Sequence, residues 1–106
     1  MKIKISTDFT VSPGPREIKQ GDFSGELFRQ NILFNAYKQS KENNEQLVVD
    51  LDGVYGYFES FLEESFGGLV RVDKVDKNDL LNRLVLISNE DPSLPERIKG
   101  FIEEAD

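Results

Sequence analysis

The chain predicts an α/β fold, a small mixed sheet of about four strands with helices packed mainly on one face. Three features lead there. Two continuous apolar runs of strand length, 47–51 (Leu-Val-Val-Asp-Leu) and 84–87 (Leu-Val-Leu-Ile), stand apart in the chain. Between and after them lie segments whose apolar residues recur at helical spacing, and strands alternating with helices imply a small sheet with helices packed on it. At 106 residues the chain has the length of one core, so residues 1–106 are read as a single domain.

Residues 1–6 alternate Met1, Ile3 and Ile5 with Lys2, Lys4 and Ser6, the period-two pattern of a half-buried edge strand. Residues 7–21 hold Pro13, Gly14, Pro15 and Gly21 and read as loop, with 16–19 as a short second strand of a hairpin. Ser24 caps a long helix that runs to about Asn43, where Asn43-Asn44 supplies a stop. Phe28, Ile32, Leu33, Ala36 and Tyr37 form its broad apolar face. Leu27 and Phe34 lie almost opposite, so either a neighbouring element or a partner, such as a second copy of the chain, has to cover them.

The run 47–51 reads as the middle strand of the sheet, covered on both sides. After the Asp52-Gly53 turn, Ser60 begins a Ser-x-x-Glu capping box with Glu63 and opens a second helix, on which Phe61, Leu62, Ser65, Phe66, Leu69 and Val70 share one side. Asp76 with Asp79 starts a short helix through Arg83, and 84–87 is a further buried strand. Ser93 and Glu96 form another capping box at the head of the last helix, whose apolar face is Leu94, Ile98, Phe101, Ile102 and Ala105.

Thirteen Lys and Arg against twenty Asp and Glu leave a net charge of −7, which repels phosphate backbones and anionic lipid, so neither nucleic acid nor membrane is an expected partner. The chain has no Cys and no His. That removes disulfides, thiolate zinc sites, thiol nucleophiles and the usual general base, and with them most hydrolase triads. No cofactor and no metal are expected. No apolar stretch approaches the roughly 20 residues that span a bilayer, and residues 1–6 lack a signal-peptide pattern, so a soluble cytoplasmic domain is expected.

Two features bear on chemistry. Val48-Val49-Asp50-Leu51-Asp52-Gly53-Val54 resembles the first motif of haloacid-dehalogenase-type phosphatases, and 84–89 is similar to their second. The resemblance implies a magnesium-dependent phosphohydrolase with Asp50 as nucleophile and Asp52 as acid/base, but the Lys and acidic pair that complete such a site do not follow Ser88. Asp50 and Asp52 at the exit of a buried strand are equally suited to accept hydrogen bonds from turn amides, which is the favoured reading. Glu59, Glu63 and Glu64 with Asp50 and Asp52 form an acidic group able to hold a hard cation, although carboxylates at a helix start already complement its dipole.

The segment 50–71 carries a second resemblance. Its run Ser60-Phe61-Leu62-Glu63-Glu64-Ser65-Phe66-Gly67-Gly68-Leu69, preceded by an apolar strand ending in Asp, is similar to the hallmark of the STAS-like domains of unknown function of bacteria and phages; Asp22-Phe23-Ser24-Gly25 before the long helix also fits. The resemblance implies a relationship to anti-sigma-factor antagonists. Those proteins bind a GHKL-type ATPase/kinase and are switched by phosphorylation of a Ser at the start of the helix after the central strand, the place Ser60 occupies. The antagonists' Asp-Ser-Ser-Gly is here Glu59-Ser60-Phe61-Leu62, and an N-cap role alone accounts for Ser60. A phosphate there would meet an attractive helix dipole and repulsive Glu59, Glu63 and Glu64, and would weaken binding to an acidic partner surface.

The expected function is therefore non-enzymatic regulation by protein binding, through Asp52, Tyr55, Tyr57, Glu59, Ser60, Glu63 and Glu64, with Ser60 as the candidate phosphoacceptor. Large aromatics anchor interfaces at low entropic cost, and at least one of Tyr55 and Tyr57 is expected to be exposed. The runner-up is a phage or mobile-element inhibitor whose acidic surface occupies a nucleic-acid groove on a host protein.

Overall fold

The computed structural model describes all 106 residues. Strand β1 (Lys2–Lys4) leads directly into a one-turn helix α1 (Ile5–Asp8). A loop with a 3₁₀ turn at Ile18–Gln20 precedes the long helix α2 (25–42), in which Gly25–Phe28, the wider π-type turn Arg29–Leu33 and Phe34–Glu42 run on as one rod. Strand β2 (Leu47–Asp50) follows, then α3 (59–71), built in the same way from Glu59–Leu62, a π-type turn Glu63–Gly67 and Gly68–Arg71. The chain closes with α4 (Lys77–Arg83), β3 (Leu84–Ile87) and α5 (Leu94–Glu104).

The sheet has three strands in the order β1-β2-β3, and both pairings are parallel. A four-stranded mixed sheet is therefore not what forms. The missing strand is the one expected at 16–19: Gly14 donates its amide to Phe23 O, and the amides of Gly25 and Glu26 bond Pro15 O and Arg16 O, so the loop is committed to the head of α2 instead of to a sheet edge. The first strand is also shorter than residues 1–6, because Asp8 accepts from the Lys4 amide at 2.8 Å and turns the chain into α1.

β2 lies in the middle, as its apolar run requires, with Ile3 against Val49 on one side and Leu47 against Leu84 on the other. Only one face of the sheet is deeply covered. Ile3, Leu47, Val49 and Leu84 are buried, whereas the alternate residues Lys2 and Lys4 are exposed and Val48, Asp50, Val85 and Ile87 half-buried. The expectation of a central strand sealed on both faces is thus corrected, while helices mainly on one face holds. Phe28 and Leu33 of α2, Phe61, Leu62, Phe66 and Leu69 of α3, Leu80 of α4 and Ile98 and Ile102 of α5 fill that side and are fully buried. Burying such side chains stabilises the fold by about 1.5–3 kcal/mol each, before chain entropy is counted.

Close packing of α2 on α3 depends on glycine. A Cβ on Gly25 would lie 2.5 Å from Phe61 O, so the first turn of α2 rests on the backbone of α3, and Ser65 Oγ bonds both Phe61 O (2.7 Å) and Gly25 O (3.3 Å). Of the second apolar stripe of α2, Phe34 packs on the core with Lys38 Nζ 4.5 Å from its ring centre, and Leu27, half-buried, lines a surface cleft with Ile18 and Phe23. No helix is long and apolar enough to cross a membrane.

Candidate functional site

The residues singled out in 50–66 fall into two groups on the two sides of the helix start. The first group gathers where β2 and β3 end. Because these strands are parallel, both loops leave at the same edge of the sheet. Asp52 ties them together, accepting from the Asn89 amide (3.0 Å), the Asn89 side-chain amide (3.1 Å) and the Glu90 amide (3.0 Å). In return Glu90 accepts from the Gly53 amide at 3.0 Å, across a turn whose Gly53 has φ of 87°, a conformation that favours glycine. The amide bonds from Glu90 and Asn89 hold the Asp52 carboxyl below its ordinary range. Asp50 accepts from the Asp52 amide at 3.0 Å. Both carboxylates therefore act as turn acceptors.

Beyond Gly53 the chain bulges outward. Tyr55 is 88% exposed and Phe58 64% exposed, whereas Tyr57 is half-buried and donates its hydroxyl to Leu51 O at 2.7 Å. Burial, reinforced by the charges of Asp50 and Asp52, pushes the Tyr57 hydroxyl well above its usual pKa, so it stays a donor. The Tyr55 amide bonds Val11 O at 2.9 Å, pinning the bulge to the loop before α2. Two clefts flank this segment. One, of about 300 Å³, lies over the strand ends beside Asp52, Glu90, Asp91 and Arg97; the other, of about 370 Å³, lies between Ser12, Pro13 and Phe58.

The second group is the head of α3. The helix starts at Glu59, with Phe58 at the cap position and no side-chain cap, so Ser60 sits inside the first turn rather than before it. The predicted capping box is absent because Glu63 is drawn elsewhere. Glu63 bonds Arg71 Nη1 at 2.6 Å and also Arg16, and Glu64 bonds the buried Arg29 at 2.9 Å. Arg29 completes its shell with Glu64 O (3.2 Å) and Asp73 (2.9 Å). Burial raises the Glu63 carboxyl, but the bonds from Arg71 and Arg16 outweigh it and leave the group below its ordinary value. Glu63 and Glu64 are thus partners of arginine inside the fold and not a free acidic face. Ser60, half-buried, makes no side-chain hydrogen bond, and Glu59 is exposed.

Asp50, Asp52, Glu59, Glu63 and Glu64 do not converge; no group of three or more carboxylates is placed to hold a metal ion. The π-type turns and the Arg29 network were not read from the sequence, since nothing in local spacing connects Arg29 to Glu64 or Asp73.

A model described as the STAS-like domain of unknown function (DUF4325) matches residues 24–94, and the chain belongs to that family. The match opens at Ser24, the residue that caps α2 by accepting from the Leu27 amide at 3.0 Å, and closes at the first residue of α5. No curated protein and no solved structure is significantly similar to the chain.

Proposed function

We propose that this chain is a non-enzymatic regulatory domain that works by binding another protein through the bulge 52–60, in the manner of anti-sigma-factor antagonists, with a GHKL-type ATPase/kinase as the class of partner. The observation that carries the reading is Tyr55: a large aromatic, 88% exposed, on a backbone pinned by hydrogen bonds to Val11 and, through Asp52, to the β3 exit. Folding gains nothing from such a side chain, whereas a pre-ordered aromatic is what an interface uses as an anchor. Asp50 and Asp52, the best candidates for chemistry, are already engaged by turn amides.

Ser60 serves as the switch in this reading. Its hydroxyl is not consumed as a cap, and a phosphate at the first turn of a helix 13 residues long would meet the positive end of the dipole. Affinity capture from the source cell with the parent and with Tyr55→Ala, followed by mass spectrometry, tests the proposal. A GHKL-type ATPase held by the parent and lost with the variant is expected, and intact mass after incubation with that partner and ATP reports on Ser60. Capture unchanged by Tyr55→Ala would refute the surface, and magnesium-dependent phosphatase activity abolished by Asp50→Asn would refute the non-enzymatic reading.

A further inference from the structure

Tyr55, Gly56 and Tyr57 form a wall shared by the two clefts. The clefts differ in chemistry. On the Phe58 side the surroundings are Ser12, Pro13 and the aromatic ring, with Val11, 44% exposed, alongside. On the strand-end side three carboxylates, Asp52, Glu90 and Asp91, line the cleft with one cation, Arg97, whose nearest carboxylate oxygen is 4.0 Å away on Asp91. Lys4 of β1 approaches Asp52 from behind the Gly53 turn, so the acids still outnumber the cations. Each of those carboxylates is held in place by main-chain amides: Asp52 by Asn89 and Glu90, Glu90 by Gly53, and Asp91 by Ser93 at 3.1 Å. The Ser93 hydroxyl and amide also keep Asp91 below its ordinary range. A fixed negative field thus lies next to an uncovered apolar slot, with one exposed tyrosine between them.

We infer that this double cleft takes a segment of a partner protein in which an apolar side chain stands next to a lysine or arginine. The apolar side chain enters between Pro13 and Phe58, and the cation lies over Tyr55 toward Asp52, Glu90 and Asp91. Complementarity of charge selects this occupant. A second copy of the chain bound with this cleft on the twofold axis would set the same carboxylates against one another, and a nucleic acid would meet a chain of net charge −7. A cation over an aromatic face, flanked by oriented carboxylates, gains from both. The inference rests on the reading that the bulge binds protein, and adds the chemistry of what it binds.

Gly56 provides a means of testing the wall without disturbing the core. A Cβ there meets nothing within 4 Å, and its backbone is not in the left-handed region, so Gly56→Leu fits the fold while intruding on the clefts. The experiment is selection of a random peptide library on the full chain. A synthetic peptide of the consensus is then titrated against the parent, Gly56→Leu and Tyr55→Ala, each checked for an unchanged thermal midpoint.

The expected consensus has an apolar residue within a few positions of Lys or Arg, and its affinity falls by about tenfold or more in both variants. No enrichment, a neutral or acidic consensus, or affinity unaffected by both variants overturns the inference. The two levels separate cleanly. A natural partner lost with Tyr55→Ala but contacting the bulge through a segment without Lys or Arg removes only this inference, whereas a partner retained by Tyr55→Ala removes the binding surface itself.

Discussion

The guanidinium of Arg29 passes directly over Gly68: a Cβ on that glycine would sit 2.6 Å from Nε and 2.9 Å from Cδ. The second glycine of the Phe66-Gly67-Gly68 run is therefore the floor of a buried ion-pair network, and Arg29, only 2% exposed, reaches Glu64 and Asp73 because α3 offers no side chain there. Gly68→Ala is expected to destabilise the protein by about 1–3 kcal/mol, the cost of overpacking a filled site. Chemical denaturation of the variant checks it.

Arg29→Met leaves Asp73 without its cation while Glu64 keeps Arg16 (3.4 Å) and Arg71 (3.3 Å), and removal of one partner from a buried pair costs about 3–5 kcal/mol. Replacing the stranded acid as well, Asp73→Asn, should restore a substantial part of that loss. A double-mutant cycle on unfolding free energy measures the coupling.

Ser24 and Ser60 both look like helix caps in sequence, yet only Ser24 accepts a capping bond. Ser24→Ala should cost about 0.5–2 kcal/mol and Ser60→Ala less than about 0.5 kcal/mol. Equal losses in the two variants would contradict the observed helix start.

Asp79 is held down from 3.8 to about 2, first by the hydrogen bonds from Arg83 and then by that from Tyr37. Its folded value is below its unfolded one, so it contributes stability above pH 4 that is lost as the pH falls toward 2. Asp79→Asn should flatten this acid limb. At neutral pH the cost should be about 1 kcal/mol, because the side chain is 28% exposed and solvent screens the pair. Thermal midpoints followed between pH 2 and pH 7 test the sign.

Tyr55→Ala and Phe58→Ala should leave stability within about 0.5 kcal/mol of the parent, since neither side chain is buried. Phe66→Ala, at 0% exposure, should cost about 3–5 kcal/mol. The contrast separates residues kept for contact from residues kept for the core.

The helices from α2 onward and the central strand were legible because local period and turn chemistry determine them. The expectation that at least one of Tyr55 and Tyr57 is exposed is met by Tyr55, whereas the one-turn helix α1 was not legible. Ser24 and Asp76 cap as expected, and Asn44, at φ of 51°, ends α2 in the left-handed conformation. What could not be read are the places where a distant group outbids a local one. Glu63 abandons the Ser60 capping box for Arg16 and Arg71, and Ser93 gives its hydroxyl to Asp91 at 2.6 Å in place of capping α5. The expected hairpin fails likewise, its residues being bound to the first turn of α2. At the site, spacing placed Asp52, Tyr55 and Ser60 at one helix start but could not show that Asn89 and Glu90 come to Asp52 from the end of another strand.

Parallel pairing of all three strands also governs the order of assembly. Lys2 meets Val48 and Leu47 meets Leu84, so no β contact joins sequence neighbours and each has to close a long loop first. In a pulsed hydrogen-exchange refolding experiment the α2 and α3 segments are expected to gain helicity before the β2 amides become protected, because the two neighbours of β2 come from opposite sides of it in the polypeptide.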